Sequence, residues 1–388
     1  MLASVRRLDW TLVAAVGALC ACGLLAVYSA TRGAEAPGVV PPSPLVQKQA
    51  LWMLIGGAAF VVAVAFDYEA IARWHVGIYA VVLALLVAVL VVGRAPTGAA
   101  SWIAIGSFRL QPSELAKIAV LLSLAAFLAR RRAEVSTARV VLASLLIPAA
   151  PLLLVALQPD LGTAFVIAAI WFAAVFLAGA RVWHLAALFA AGVALFLLMW
   201  RLGDVPQQKL PRAVAKIASK AALKDYQKRR MTVFLNPQAD PLGAGYHVIQ
   251  SRVAIGSGRL LGRGLGGGTQ GRLRFIPERH TDFVFSVIGE EFGFIGSAAV
   301  VGLFLLLFWR GLRIAMLAGD SLGALIAAGA VAMLVFHAIV SIGMSVNIMP
   351  ITGLPLPFVS YGGSNLFASF IAFGLLQNVH MRRERITF

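Results

Sequence analysis

Residues 74–93 read WHVGIYAVVLALLVAVLVVG, twenty positions without one formal charge. At 1.5 Å per helical residue such a run extends about 30 Å, the thickness of a bilayer's hydrocarbon core. Similar runs recur through all 388 residues. Sixty per cent of the chain is apolar and 13% charged, against about 25% charged in soluble domains. No water-soluble globule of this size buries that much apolar surface. Backbone inside lipid must satisfy its own polar groups, and a helix does so within one segment. The expected fold is an all-α polytopic membrane protein.

Hydropathy places about ten spans, at 10–29, 48–66, 74–93, 114–129, 139–157, 161–179, 183–200, 284–308, 321–345 and 364–380. An even number puts both termini on one side. With that side cytoplasmic, the inner segments hold thirteen Lys or Arg and the short outer loops four, Arg32, Lys48, Arg94 and Arg109. The excess sets the orientation. Cys20 and Cys22 lie two apart in the first run, where helical side chains diverge and no disulfide closes. That run continues to about Ala30, so it reads as an uncleaved signal anchor.

Between spans seven and eight lies a loop of about 83 residues, Arg201 to Phe283, carrying fifteen Lys or Arg against five acids. Long loops escape the positive-inside rule, so it is expected outside. Lys209 to Arg230 reads as a basic amphipathic helix, with Lys216, Lys220, Lys224 and Lys228 in one row. It is either an interfacial helix on anionic headgroups or a cationic funnel for a pyrophosphate-bearing lipid. Gly243 to Gly271 is glycine-dense and is expected to fold back against the helices as a re-entrant segment, because backbone at membrane level needs protein partners. Residues 1–388 then form a single integral-membrane domain, with 201–283 as its outer loop.

Ionisable groups in or beside spans are costly and are functional candidates. Here they gather on the outer side. Glu114 and Lys117 begin span four on one helical face, as a functional pair or a structural one. Asp160, in Gln158-Pro159-Asp160-Leu161-Gly162-Thr163, is either a site residue or an N-cap. Glu290 and Glu291 point about 100° apart and cannot face one partner. Asp282 stands out, because Arg279, His280 and Thr281 crowd polar groups beside it just before a membrane entry. Trp102 and Arg109 share a short outer loop. Pro350 to Asn365, with Ser360 and Tyr361, reads as a rigid uncharged wall. No paired His or Cys has metal-ligand spacing, and no serine-hydrolase elbow or P-loop occurs.

Five blocks together resemble the SEDS family (shape, elongation, division and sporulation): Trp102-Ile103; Gln111-Pro112-Ser113-Glu114-Leu115-Ala116-Lys117; Gln158-Pro159-Asp160-Leu161-Gly162-Thr163-Ala164; Glu278-Arg279-His280-Thr281-Asp282-Phe283; and Pro355-Leu356-Pro357-Phe358-Val359-Ser360-Tyr361-Gly362-Gly363-Ser364. Phe234-Leu235-Asn236-Pro237, Asp240 to His247 and Gly268-Thr269-Gln270-Gly271 resemble its elongation branch (RodA-type) more than its division branch (FtsW-type). The chain departs at Ser101, where the family commonly has Arg, and at Ser341 and Asn347.

The resemblance implies a peptidoglycan glycosyltransferase that polymerises lipid II at the outer face of the bacterial cytoplasmic membrane. It implies Asp282 as the catalytic residue and a class B penicillin-binding protein as crosslinking partner within the elongation complex. Trp102, Arg109, Glu114, Lys117, Asp160, Arg279, His280, Thr281, Ser360 and Tyr361 form the candidate substrate-binding set. An Asp near its reference pKa of ~3.9 is ionised at neutral pH and able to accept the proton of an attacking hydroxyl. Arg and Lys, with a divalent cation such as Mg or Mn, would neutralise the leaving pyrophosphate; no organic cofactor is implied. The rival readings are a lipid-precursor flippase or transporter, a noncatalytic scaffold, and the division-type paralogue. Transporter sites usually lie at the bilayer midplane between repeated halves, whereas this polar cluster is one-sided and no repeat is evident.

Overall fold

The computed structural model describes residues 7–31, 43–92, 101–105, 108–202, 225–241, 243–268 and 278–383. Each of the ten apolar segments is helical. In chain order the helices are α1 (Trp10–Thr31), α2 (Pro44–Ala65), the short α3 (Tyr68–Arg73), α4 (His75–Val92), α5 (Pro112–Arg130), α6 (Ala138–Ser144), α7 (Leu146–Leu157), α8 (Leu161–Leu177) and α9 (Val182–Leu202). They continue with α10 (Asp225–Leu235), α11 (Ala244–Ser257), α12 (Val284–Met316), α13 (Ser321–Ser345) and α14 (Gly363–Met381). The fifth segment is interrupted at Leu145, giving α6 and α7. Seven of the helical stretches are long and apolar enough to cross a membrane, and α4 and α8 are shorter apolar helices. Of the Lys209–Arg230 row, Lys216, Lys220 and Lys224 lie outside the described residues.

Helix starts follow local chemistry. Ser43 caps α2 ahead of Pro44, Asp67 caps α3, Asp160 caps α8, and Asp320 accepts from the Gly323 amide at the start of α13. The Trp102–Glu114 loop holds the one sheet among the described residues, an antiparallel pair β1 (Ile103–Ile105) and β2 (Phe108–Leu110). It is a local exception to the all-helical reading.

The centre of the bundle is α5, whose residues from Pro112 to Leu128 are mostly buried, flanked by α4, α8, α13 and α14. Lipid tails are as apolar as leucine, so helix contacts here depend on close packing more than on hydrophobic burial. Small residues permit it. On α2, Gly56 lies under the Phe370 ring, and on α14 Gly374 meets Ala63 and the Phe60 backbone. Phe60 and Phe373 stack across the same seam at 5.0 Å. At the other extreme α9 is exposed along most of its length and packs only lightly on α8.

The glycine-dense segment lies with its backbone against α12. At Gly293 that helix leaves helical geometry (φ 64°, ψ −159°). In an unbroken helix the amides of Phe294 and Ile295 would bond the carbonyls of Glu290 and Glu291. Instead they donate to Arg259 O (2.8 Å) and Leu260 O (3.2 Å), while Arg263 and Gly264 amides donate to Glu290 O (3.0 Å) and Glu291 O (2.9 Å). Two broken helical bonds are thus replaced by four across the seam, so none of these polar groups is stranded in the apolar interior. Gly262 (φ +80°) makes the approach possible, since a methyl there would collide with the Glu291 carbonyl.

Three alanine substitutions separate strain from contact. Gly256→Ala meets open space, Gly264→Ala meets open space at φ +81°, and Gly262→Ala meets both a left-handed φ and the Glu291 backbone. Thermal melts in detergent are expected to rank them in that order. The first should be close to neutral, and the last should lose well over about 1 kcal/mol.

Candidate functional site

The site is built where α5, α8, α12 and α14 begin and α13 ends. Asp282 lies on the turn Glu278–Phe283 that leads into α12, half-buried. The turn closes on itself, with the Phe283 amide donating to Glu278 O (3.1 Å) and Thr281 Oγ1 to Glu278 Oε2 (3.0 Å). The proline-rich loop 346–362 clamps it from the other side. Ser360 Oγ donates to Thr281 O (2.6 Å), the Tyr361 amide donates to His280 O (2.9 Å), and the two rings lie 5.7 Å apart. Gly353, at φ +77°, sits against the Asp282 carboxylate, so a side chain there would intrude on it. Arg230, at the end of the basic stretch, donates to Thr352 O (3.4 Å) beside it.

This setting changes the expected chemistry of Asp282. Burial pushes its carboxyl up to about 6, the Glu278 charge adds to the rise, and Arg230 and the Thr281 hydroxyl pull part of it back. The sequence predicts an ordinary aspartate; the structure yields a stronger base, poised near neutral pH. Burial lowers the His280 pKa, against the pull of Glu278, so its ring is not a standing cation at pH 7. Burial also raises the Tyr361 phenol, partly offset by Arg109.

The other candidates divide into those at the surface of the site and those beneath it. Arg109 and Trp102 are exposed on the hairpin. The hairpin is fixed by Ser364, whose hydroxyl donates to Arg109 O (3.2 Å) and accepts from the Gln111 amide (3.0 Å). Arg279 is buried on the Asp282 turn. Ser360 is buried too, and its hydroxyl is engaged by Thr281 O and the Leu356 amide, so it positions the loop. Asp160 is the N-cap of α8 and also a latch. Its carboxylate accepts from the Thr163 amide and hydroxyl (3.0 and 2.8 Å), Gln111 Nε2 (3.0 Å) and Ser113 Oγ (3.2 Å).

Glu114 and Lys117 form an internal brace, the structural one of the two readings the sequence leaves open. Lys117 is 0% and Glu114 2% exposed, with Nζ 2.6 Å from Oε2. The ammonium also lies 2.9 Å from His337 Nε2. A lysine only donates, so Nε2 accepts and the ring proton resides on Nδ1, 3.3 Å from Pro355 O. Asn365 Nδ2 donates to Glu114 Oε2 (3.3 Å). Sequence reasoning does not single out His337 and Asn365, although a lone histidine within an apolar span is a signal in its own right. Glu290 and Glu291, both buried, face different neighbours. Glu291 accepts from Ser29 of α1, and the Glu290 carboxylate lies against Gly268.

These features define a multi-pass helical membrane protein with a carboxylate-centred polar site at one end of its bundle. The chain belongs to the FtsW/RodA/SpoVE family of cell cycle proteins, whose sequence model matches residues 9–385. It is 41% identical over 315 residues to the peptidoglycan glycosyltransferase MrdB of Escherichia coli K12, covering 81% of this chain and 80% of that one. It is 34% identical to the peptidoglycan glycosyltransferase RodA of Treponema pallidum, covering 98% and 99%. Among solved structures it matches a chain from a study of how a peptidoglycan synthase complex coordinates polymerisation and crosslinking (TM-score 0.73, 35% identity, 97% and 98% covered). It also matches the rod shape determining protein RodA of Thermus thermophilus (TM-score 0.68, 30% identity, 97% and 98% covered).

The buried brace is open to a double-mutant cycle. Lys117→Ala leaves the Glu114 carboxylate uncompensated in an apolar interior and should cost about 3–5 kcal/mol. Glu114→Gln combined with Lys117→Met removes both charges and should recover most of that loss in detergent melts. Additive losses would mean that the two side chains do not act as a pair.

Proposed function

We infer that this chain is a peptidoglycan glycosyltransferase of the elongation type, polymerising lipid II with Asp282 as general base. The observation that carries the residue assignment is a half-buried carboxylate with a raised pKa, held on a clamped turn at a membrane entry. In the reaction, the acceptor sugar's hydroxyl oxygen forms the new bond to the anomeric carbon of the donor. Its proton passes to Asp282. The bond from that carbon to the pyrophosphate oxygen breaks, and the pyrophosphate leaves with the electron pair. A base with a pKa close to working pH suits this transfer better than an ordinary aspartate.

Arg279 and Arg230, flanking Asp282 on the turn and on α10, are the proposed contacts for the departing charge, with Arg109 and Trp102 on the rim for substrate. His280, Thr281 and Tyr361 shape the turn beside the reacting groups. Among the described residues no three His, Cys, Asp or Glu side chains gather into a metal cage. Magnesium is often bound by one or two carboxylates plus substrate phosphates. A divalent cation would arrive on the substrate phosphates, where it would neutralise charge on the leaving group.

The Lys and Arg distribution supports a cytoplasmic location for both termini, with Asp282 outside the bacterial cytoplasmic membrane. The chain acts as one integral-membrane unit. Its lysine row at 216–228 would draw the anionic lipid towards the site. A glycan polymerase alone leaves strands uncrosslinked, so a class B penicillin-binding protein is the proposed partner in the elongation complex. Its membrane anchor would dock on α12 and α13, where Phe294, Leu305, Trp309 and Ile339 are exposed. The likeness to a chain from a synthase complex that coordinates polymerisation with crosslinking supports this pairing.

Asp282→Asn retains shape and loses the base. Purified variant and wild type, given lipid II at equal enzyme, should differ by about 10²–10⁴-fold in glycan formed, with unchanged melting. Equal polymer from both would remove Asp282 from the chemistry.

A further inference from the structure

At the opposite end of the bundle the start of α1 and the ends of α12 and α14 enclose a polar cavity of about 350 Å³, lined among others by Asp9, Trp10, Arg310, Arg313, Leu317 and Arg383. From Val284 to Arg310 along α12 is about 40 Å at 1.5 Å per residue, more than the ~30 Å hydrocarbon core. The cavity therefore lies at the membrane surface remote from Asp282.

Its frame is fixed. Asp9 caps α1 through the Leu12 amide (3.2 Å), its backbone N–H donates to Gln377 Oε1 of α14 (3.0 Å) and its carbonyl accepts from Gln377 Nε2 (3.1 Å), and its carboxylate pairs with Arg310 of α12 (2.5 and 2.9 Å). The Asp9 carboxylate thus ties α1 to α12, and its backbone ties in α14. Arg310 is neutralised by that pair. Arg313, one turn further on, and Arg383 are exposed and have no carboxylate at salt-bridge distance among the described residues. Among the described residues that line it, three guanidinium groups against one carboxylate leave two positive charges around the same space. The first-turn residues Trp10 and Thr11 of a 22-residue helix also line it, adding the positive end of the helix dipole.

We propose that this cavity binds the phosphate headgroup of an anionic phospholipid. Guanidinium forks and a helix N-terminus suit a phosphate diester. Trp10 (56% exposed) and Leu317 (50% exposed) offer apolar surface at the rim, where the acyl chains of a lipid would lie and a free phosphate would gain nothing. The assignment does not depend on the glycosyltransferase reading, because the cavity is on the other side of the membrane from Asp282.

The test is native mass spectrometry of the full-length protein from mixed micelles of phosphatidylglycerol and phosphatidylcholine. Wild type should retain phosphatidylglycerol preferentially. Arg313→Gln and Arg383→Gln should each lower that preference about fivefold, whereas the corresponding Arg→Lys changes should keep most of it. Both side chains are exposed, so an unchanged melting temperature serves as the folding control. Equal retention of the two lipids by wild type, or a preference that survives the double Gln variant, would overturn the site. Loss of bound phosphatidylglycerol to excess inorganic phosphate would overturn the lipid headgroup as its occupant.

Discussion

A lysine and a glutamate buried together in an apolar interior govern the architecture of the Asp282 end. Neither charge is tolerable there alone, so each must keep its partner, and the remaining donor and acceptor capacity must also be met. Lys117 meets it with His337 of α13, and Glu114 with Asn365 of α14. His337 then faces Pro355 in the loop between those two helices. The Leu356 amide of that loop donates to Ser360 Oγ, which donates to Thr281 O, one residue from Asp282. A continuous chain of polar contacts thus runs from the centre of the bundle to the proposed catalytic carboxylate. The Glu278–Phe283 turn inherits its position from the brace below it.

Such an arrangement suits the chemistry. A transferase acting on a lipid-linked donor must hold its base at membrane level, in contact with an aqueous acceptor and close to a departing pyrophosphate. A base on a free loop would wander by more than the reacting distance permits. Here the turn is held by the proline-rich loop on one side and continues into α12 on the other. The same semi-enclosed position desolvates Asp282 and raises its pKa, so the clamp that positions the proposed base also tunes it. The backbone seam at Gly293 does comparable work deeper along α12, letting an irregular glycine-dense segment lie against that helix with the Arg263, Gly264, Phe294 and Ile295 amides all paired.

Much of this was legible in the sequence. Uncharged runs such as 74–93 locate helices because lipid demands them, and Asp282 is visible because an acid, an arginine and a histidine together before a membrane entry are costly. Asp160 is readable as an N-cap from its local spacing alone. What escaped depends on contacts between distant residues. His337 is 220 positions from Lys117, and no local pattern joins them. The burial of Glu114, Lys117 and Ser360, which lets them act as braces, is set by the packing of α13 and α14 around α5. The rise in the Asp282 pKa comes from the same tertiary enclosure. Gly293 could have been seen as a helix-weakening residue, but its backbone partners at 259–264 could not.

If Asp282 is the base and its enclosure sets its pKa, the pH dependence of kcat/KM for lipid II polymerisation tests both directly. A base works only when deprotonated, so activity should fall as pH drops through about 6, leaving about a tenth of the plateau at pH 5. Glu278→Gln removes a negative neighbour that raises this pKa, so the acid limb should move to lower pH in that variant. An acid limb near the ordinary aspartate value of 3.8 in wild type, or one near 6 that Glu278→Gln leaves in place, would contradict this role and its physical cause.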